Sequence, residues 1–238
     1  MNKTKDGFTL AEVLITLAII GVVAAVTLPM LVKNYQKKVF VSRLQKTYSE
    51  LNNASKLTQA EYGDPNSWDM SLSGGIFFQT YLAPYLKIAS IKPKSEIEDR
   101  TYYQISGTPE TGLAVFQQSK SSKVNIVTLT NGVQLLWWNE PNGTLREFYI
   151  DVNGIAKPNT FGKDMFMLYF LENGEIMFHQ RCDNEPISTR RTIEELKTNQ
   201  NDTNSRCYSY QCDKSGQGMW CGALIQQSGW KIPDDYPW

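Results

Sequence analysis

The sequence predicts an α+β chain: a long N-terminal helix, membrane-spanning in one half and amphipathic in the other, packed on an antiparallel β-sheet and followed by a disulfide-stapled C-terminal region. Three observations carry this. No charged residue stands between Glu12 and Lys33. Phe40, Leu44, Tyr48 and Leu51 then recur at helical spacing among charged and polar residues. From Gly112 onward, short runs rich in β-branched and aromatic residues alternate with Asn-Gly pairs, and all four cysteines lie in the last quarter of the chain.

The apolar run comes first. From Val13 to Val32 it gives roughly 30 Å of helix at about 1.5 Å per residue, enough to cross a hydrocarbon core. Lys3 and Lys5 precede it and favour a cytoplasmic N-terminus, although Lys33, Lys37 and Lys38 nearly match them on the far side. Glu12 sits inside the apolar stretch, where an ionised carboxylate is costly unless a positive group meets it.

These residues carry a resemblance. Gly7-Phe8-Thr9-Leu10-Ala11-Glu12-Val13 resembles the prepilin signature of type IV pilins and type II secretion pseudopilins. The resemblance implies cleavage between Gly7 and Phe8 by a prepilin peptidase on the cytoplasmic side, and N-methylation of Phe8. It also makes Glu12 the fifth mature residue, the family's glutamate, and puts Pro29 where many members have a helix-kinking proline. Ala11 departs mildly, since a larger aliphatic is commoner there. The likeness covers roughly the first 35 residues.

It implies a pilin-like fold and a chain laid out as a leader (residues 1–7), a transmembrane and filament-core helix (8–35) and a globular head (36–238). Within the head we expect the amphipathic half of the helix at 36–60, a connection at 61–111, the sheet at 112–180 and the cysteine-containing tail at 181–238. In a filament of packed N-terminal helices, the free amine of Phe8 on one subunit would neutralise Glu12 of its neighbour, so charge complementarity would set register. The competing reading of Glu12 is a carboxylate that snorkels to the headgroups of a simple anchor. Pro29 should bend or locally melt the helix, having no amide donor.

Composition excludes some classes. Lys+Arg 24 balance Asp+Glu 24, so nothing steers the chain to nucleic acid in bulk. Beyond the apolar helix, enough residues remain for one head with its own core. Cys182, Cys207, Cys212 and Cys221 read as two disulfides in an extracytoplasmic compartment, with all three pairings open. Zinc is disfavoured: there is no C-x2-C pair, and His179, the only histidine, stands apart from the Cys207 to Cys221 cluster.

In chain order, the helix should continue with its Phe40 to Leu51 stripe facing a sheet and stop before Gly63-Asp64-Pro65. Phe77, Phe78, Tyr81, Leu82, Tyr85 and Leu86 suggest a short aromatic helix ended or kinked near Pro84, and Lys92 to Arg100 reads as a polar loop. Strands are expected at Leu113 to Gln117, Val124 to Leu129, Val133 to Trp138, Leu145 to Val152, Met165 to Leu171 and Glu175 to His179. Asn131-Gly132 and Asn173-Gly174 are candidates for type I′ hairpin turns. Asp151 and Asn153 begin like a calcium loop, and with Asp164 could make an irregular cation site, but Ile155 and the lack of a later glutamate break the EF-hand pattern. Otherwise no cofactor is expected. Trp220, Trp230, Tyr236 and Trp238 give the tail aromatic anchors.

Function follows. No nucleophile, base and orienting group can be assembled, so the sequence does not read as an enzyme. The favoured role is a structural subunit of a type II secretion pseudopilus, sitting single-pass in the bacterial inner membrane with its head in the periplasm. Its partners would be other pilin or pseudopilin subunits, the prepilin peptidase, the inner-membrane assembly platform and the membrane itself. The alternatives are a type IV pilus subunit for adhesion, motility or DNA uptake, and a membrane-tethered extracytoplasmic binding protein.

Overall fold

A computed structural model describes residues 7, 9–69, 71–93, 100–110, 124–138, 146–182, 185–198 and 209–238. The chain divides into two units, Met1–Val39 and Phe40–Trp238. One helix, α1 (Leu10–Tyr62), belongs to both. Gly63, with a φ of 80°, ends it, and Asp64 caps the short 3-10 turn Pro65–Ser67 through the Asn66 amide. Only glycine adopts that left-handed conformation at no steric cost.

In the second unit, α1 buries Val41, Leu44, Thr47, Leu51, Ala54, Ser55 and Thr58, while Phe40 and Tyr48 are partly buried. These positions fall three and four apart, the stripe expected from sequence, and Leu44 and Leu51 are fully covered. Each such side chain contributes about 2 kcal/mol of burial. Polar atoms fix the helix against the sheet: Tyr48 Oη donates to the Ile176 carbonyl at 2.9 Å, and Ser55 Oγ to the Gly174 carbonyl at 2.6 Å.

The connection is an aromatic knot. It comprises α2 (Gly74–Phe77), a π turn (Phe78–Leu82) and a 3-10 turn (Ala83–Tyr85) that contains Pro84. Trp68 stacks on Tyr81 at 4.8 Å, and Phe77 meets Phe170 edge-on at 5.2 Å.

Six antiparallel strands follow in simple meander order: β1 (Ile88–Pro93), β2 (Val124–Leu129), β3 (Gln134–Trp138), β4 (Arg146–Asp151), β5 (Met165–Phe170) and β6 (Ile176–Phe178). Five of them coincide with expected strands. The stretch Leu113 to Gln117 lies outside the described residues. β1 corrects the sequence reading, because Lys92 and Pro93 are strand rather than loop. An edge strand tolerates both, since proline there faces no second neighbour.

The hairpins correct the expected turn type. Between β2 and β3, Leu129 N–H donates to Val133 O and Gly132 N–H to Leu129 O, both at 2.9 Å, and only Gly132 has positive φ. The Leu171 to Glu175 turn repeats this with Gly174. Both are three-residue loops, a type I turn closed by a glycine bulge. Type I′ would need positive φ at the asparagine too. Instead Asn131 and Asn173 stay at negative φ and accept from the amides of Val133 and Glu175 through their side chains, each at 3.0 Å.

The sheet is buried on both faces, as the unbroken burial of β5 shows. On one face, Phe148 stacks on Trp137 at 4.5 Å, and Phe178 stacks on Tyr48 of α1 at 5.1 Å. On the other, Tyr149 meets Phe161, while His179 lies between Tyr169 and Tyr210. The tail therefore packs rather than dangles. α3 (Ile193–Lys197) opens with a Thr192/Glu195 capping box. α4 (Cys221–Gln227) closes with Gly229 N–H donating to Gln226 O and Trp230 N–H to Ile225 O, which sends Trp230 against Tyr48 at 5.4 Å. Trp238 reaches Phe40 at 5.9 Å.

Candidate assembly site

At the start of α1 the local chemistry is a capping box. Thr9 N–H and Thr9 Oγ both donate to Glu12 Oε2 at 2.8 Å, and Glu12 N–H returns a bond to Thr9 Oγ at 3.3 Å. Thr9 is the cap residue and Glu12 the third helical residue, where orphan amides and the helix dipole both favour an anion. Glu12 thus has donors of its own within one chain. Its Oε1 makes no hydrogen bond among the described residues, so a second donor has an atom to reach. The sequence readings of Glu12, paired with a neighbour's amine or snorkelling to the headgroups, passed over Thr-x-x-Glu, itself a recognisable capping signal.

Gly7 is exposed, and Phe8 lies outside the described residues. Beyond Glu12, every residue from Val13 to Gln36 is exposed except half-buried Ala24. The two hydroxyls in the apolar run are satisfied by their own helix: Thr16 donates to Val13 O and Thr27 to Val23 O, each at 2.9 Å. That arrangement suits a nonpolar surround, where backbone and hydroxyl groups find no water. α1 runs unbroken through Pro29, so the expected local melting does not occur. Proline removes one amide donor, while the helical bonds on either side persist.

The residues expected to form a cation loop do come together. Asn153 N–H donates to Asp151 Oδ1 at 3.2 Å, and Asp164 accepts from Asn159 N–H at 2.8 Å and Thr160 N–H at 2.6 Å. Asp151 and Asp164 are fully buried. The unforeseen member is Arg100, whose Nη1 stands 3.5 Å from Asp151 Oδ2 and donates to Gly154 O at 3.2 Å. Arg100 is too far from the loop in sequence to leave a local signal. Burial, then the neighbouring Asp164, raises Asp151 well above the carboxylate range, against the lowering pull of Arg100. Burial likewise pushes Asp164 up to about 6, against the lowering effect of its backbone hydrogen bonds. Asp151 Oδ2, Asn153 Oδ1 and Asn159 Oδ1 are buried oxygens without a hydrogen-bond partner among the described residues. Such oxygens are the donors a hard cation takes, but a guanidinium already faces the central carboxylate.

In the tail, Cys212 and Cys221 form a disulfide with Cα atoms 4.9 Å apart, and Cys182 is disulfide-bonded as well. Cys207 lies outside the described residues. Arg191 secures this region: it donates to Gln180 O at 2.7 Å and Glu185 Oε2 at 2.6 Å, and it lies over the Trp220 ring at 4.6 Å. His179 is buried beneath, with neither ring nitrogen hydrogen-bonded among the described residues.

Residues 2–28 match the prokaryotic N-terminal methylation motif, the signature of type IV pilins and pseudopilins. Among the described residues one exposed apolar helix is long enough to cross a membrane, and with its helix-on-sheet head the chain is a pilin-like, single-pass membrane-anchored subunit. Residues 30–238 match the family of unknown function DUF6613, and the chain belongs to that family. No curated protein and no solved structure matches it.

Proposed function

We propose that the protein is a structural subunit of a type II secretion pseudopilus, cleaved between Gly7 and Phe8, methylated at Phe8 and assembled into a helical filament that supports protein secretion. The observation that carries this is Glu12, held by Thr9 through one carboxylate oxygen at the start of an exposed apolar helix, with the other oxygen open. A neighbouring subunit's Phe8 amine would complete that carboxylate, so the pair is satisfied only at one stagger. The head would then lie in the periplasm, and the role is structural rather than enzymatic. In the Asp151 loop, Arg100 would supply the countercharge in place of a metal ion.

The test replaces Glu12 with alanine. Filament incorporation should fall sharply while membrane insertion survives, and the mature N-terminus should read as methylated Phe8 by mass spectrometry. Normal incorporation of Glu12→Ala would refute the role given to the carboxylate. A second reading, a type IV pilus subunit, is favoured by the Cys212–Cys221 staple of the C-terminal region. A deletion strain separates the two: loss of extracellular folded enzymes supports the secretion role, and loss of surface filaments with intact secretion supports the pilus.

A further inference from the structure

The contacts of α1 fix which end of the sheet lies toward the start of the head. Ser55 donates to the Gly174 carbonyl and Tyr48 to the Ile176 carbonyl, so β6 runs toward the N-terminal part of α1. β5 is antiparallel to β6 and β4 to β5, so β4 runs the same way as β6 and leaves the sheet at Asp151. Arg43, donating to Val152 O at 3.2 Å, stands beside that exit. The chain after Val152 therefore loops out at the end of the head where Phe40 meets Trp238. Phe40, the first residue of the head, follows Val32 by only eight residues, about 12 Å along α1, so this end is tethered close to the lipid surface.

At the tip of the loop stands Ile155, 66% exposed and the most exposed large hydrophobic side chain among the described residues of the head. Ala156 and Lys157 beside it are exposed as well. The tip is held in place. Asn153 Nδ2 donates to Ala156 O and Lys157 O, both at 3.0 Å, and Arg100 Nη1 donates to Gly154 O at 3.2 Å. A Cβ at Gly154 would come within 2.8 Å of Gly132 O in the neighbouring hairpin, so the loop also leans on that turn. A tip ordered in advance loses little conformational freedom when it inserts.

We propose that this loop rests on the bilayer that holds α1, with Ile155 inserted among the lipid headgroups. Val152 to Ile155 reaches up to about 10 Å, enough to carry the side chain into that layer but not deep into the hydrocarbon core. The half-buried rings of Phe40 and Trp238 stand at the same end, at a level that aromatic side chains favour. The contact holds the head at one tilt over the membrane, and a subunit leaving the bilayer breaks it. The inference rests on the membrane-anchored reading of α1, and the experiment keeps the two apart.

The full-length protein is reconstituted into vesicles of phosphatidylethanolamine and phosphatidylglycerol with a nitroxide on Ala156→Cys, beside the native Ile155, or on Glu172→Cys, an exposed site at the opposite end of the sheet. Cys182, Cys212 and Cys221 are disulfide-bonded, and the unsubstituted protein serves as the labelling blank. Collisions with a water-soluble nickel complex and with oxygen are read by electron spin resonance, and resistance to alkaline carbonate extraction reports anchoring separately. Nickel collisions should be about fivefold rarer at residue 156 than at 172, the population ratio that about 1 kcal/mol of apolar burial gives, and oxygen collisions more frequent. Ile155→Ser in the Ala156→Cys background should restore the nickel collisions. An anchored protein with equal nickel collisions at the two sites overturns the proposal, as does protection that survives Ile155→Ser. Protection with spin-spin broadening that grows with the protein-to-lipid ratio overturns it too, and assigns the loop to a second copy. Release of the wild type by carbonate would instead overturn the anchoring on which the inference depends.

Discussion

His179 gives a pH-dependent stability that can be isolated by one substitution. The ring is 3% exposed, edge-on to Tyr169 at 5.2 Å and to Tyr210 at 5.3 Å. Burial pushes its pKa down to about 3, with the charges of Arg181 and Arg191 adding to the effect. An unfolded histidine titrates near 6.5, so between about 6.5 and 3 the unfolded chain holds a proton that the folded one does not. Stability from this site is complete above the unfolded value and is lost as pH falls, by about 1.4 kcal/mol per unit, or roughly 3 kcal/mol over the first two units. Asp164, raised to about 6, pulls the other way in the upper part of that window, because its folded form keeps a proton that the unfolded chain releases. A His179→Phe variant keeps the aromatic slot and removes only the histidine contribution. Urea unfolding of the full chain in detergent, followed by near-ultraviolet circular dichroism, should give similar stabilities near neutrality. The variant should then gain on the wild type by about 3 kcal/mol over two units of acidification. Parallel pH profiles would refute the reasoning.

Other perturbations probe the loop and the tail. Arg100→Ala removes the group that faces Asp151 and donates to Gly154 O, leaving buried oxygens unsatisfied, and should destabilise the head by about 1–3 kcal/mol, seen as a lower urea midpoint. In the wild type, millimolar calcium should leave the thermal midpoint unmoved, and a rise of several degrees would overturn the countercharge assigned to Arg100. A Cβ at Gly222 would sit 2.4 Å from the Phe178 ring, so Gly222→Ala should cost about 1–3 kcal/mol, read by the same unfolding assay.

Much of this architecture was legible where pattern is local. The stripe from Phe40 to Leu51 follows helical spacing, and β2 runs from Val124 to Leu129 as its β-branched run predicts. β1 was not legible, because its alternation is broken by Lys92 and Pro93 and its pairing with β2 is what makes it a strand. The hairpin type was missed for a finer reason: Thr130 and Glu172 lengthen each turn by one residue, which relieves the asparagine of positive φ. At the candidate assembly site, the methylation motif and Glu12 were readable, and the Thr9 cap was readable but unread. Arg100 was hidden, since only the fold brings it to Asp151. The second layer over the sheet was hidden too, because the covering aromatics, Tyr210 among them, lie in a polar tail with no periodic pattern.

The contact between Phe40 and Trp238 joins the beginning of the head to its last turn. The apolar stripe of α1 and one of the rings that covers it lie far apart in the sequence, so their meeting is a long-range closure of the slow kind. Until that contact closes, part of the stripe stands uncovered. Maturation of the head is thus tied to docking of the tail, and until then the apolar stripe is a surface through which partly folded chains aggregate.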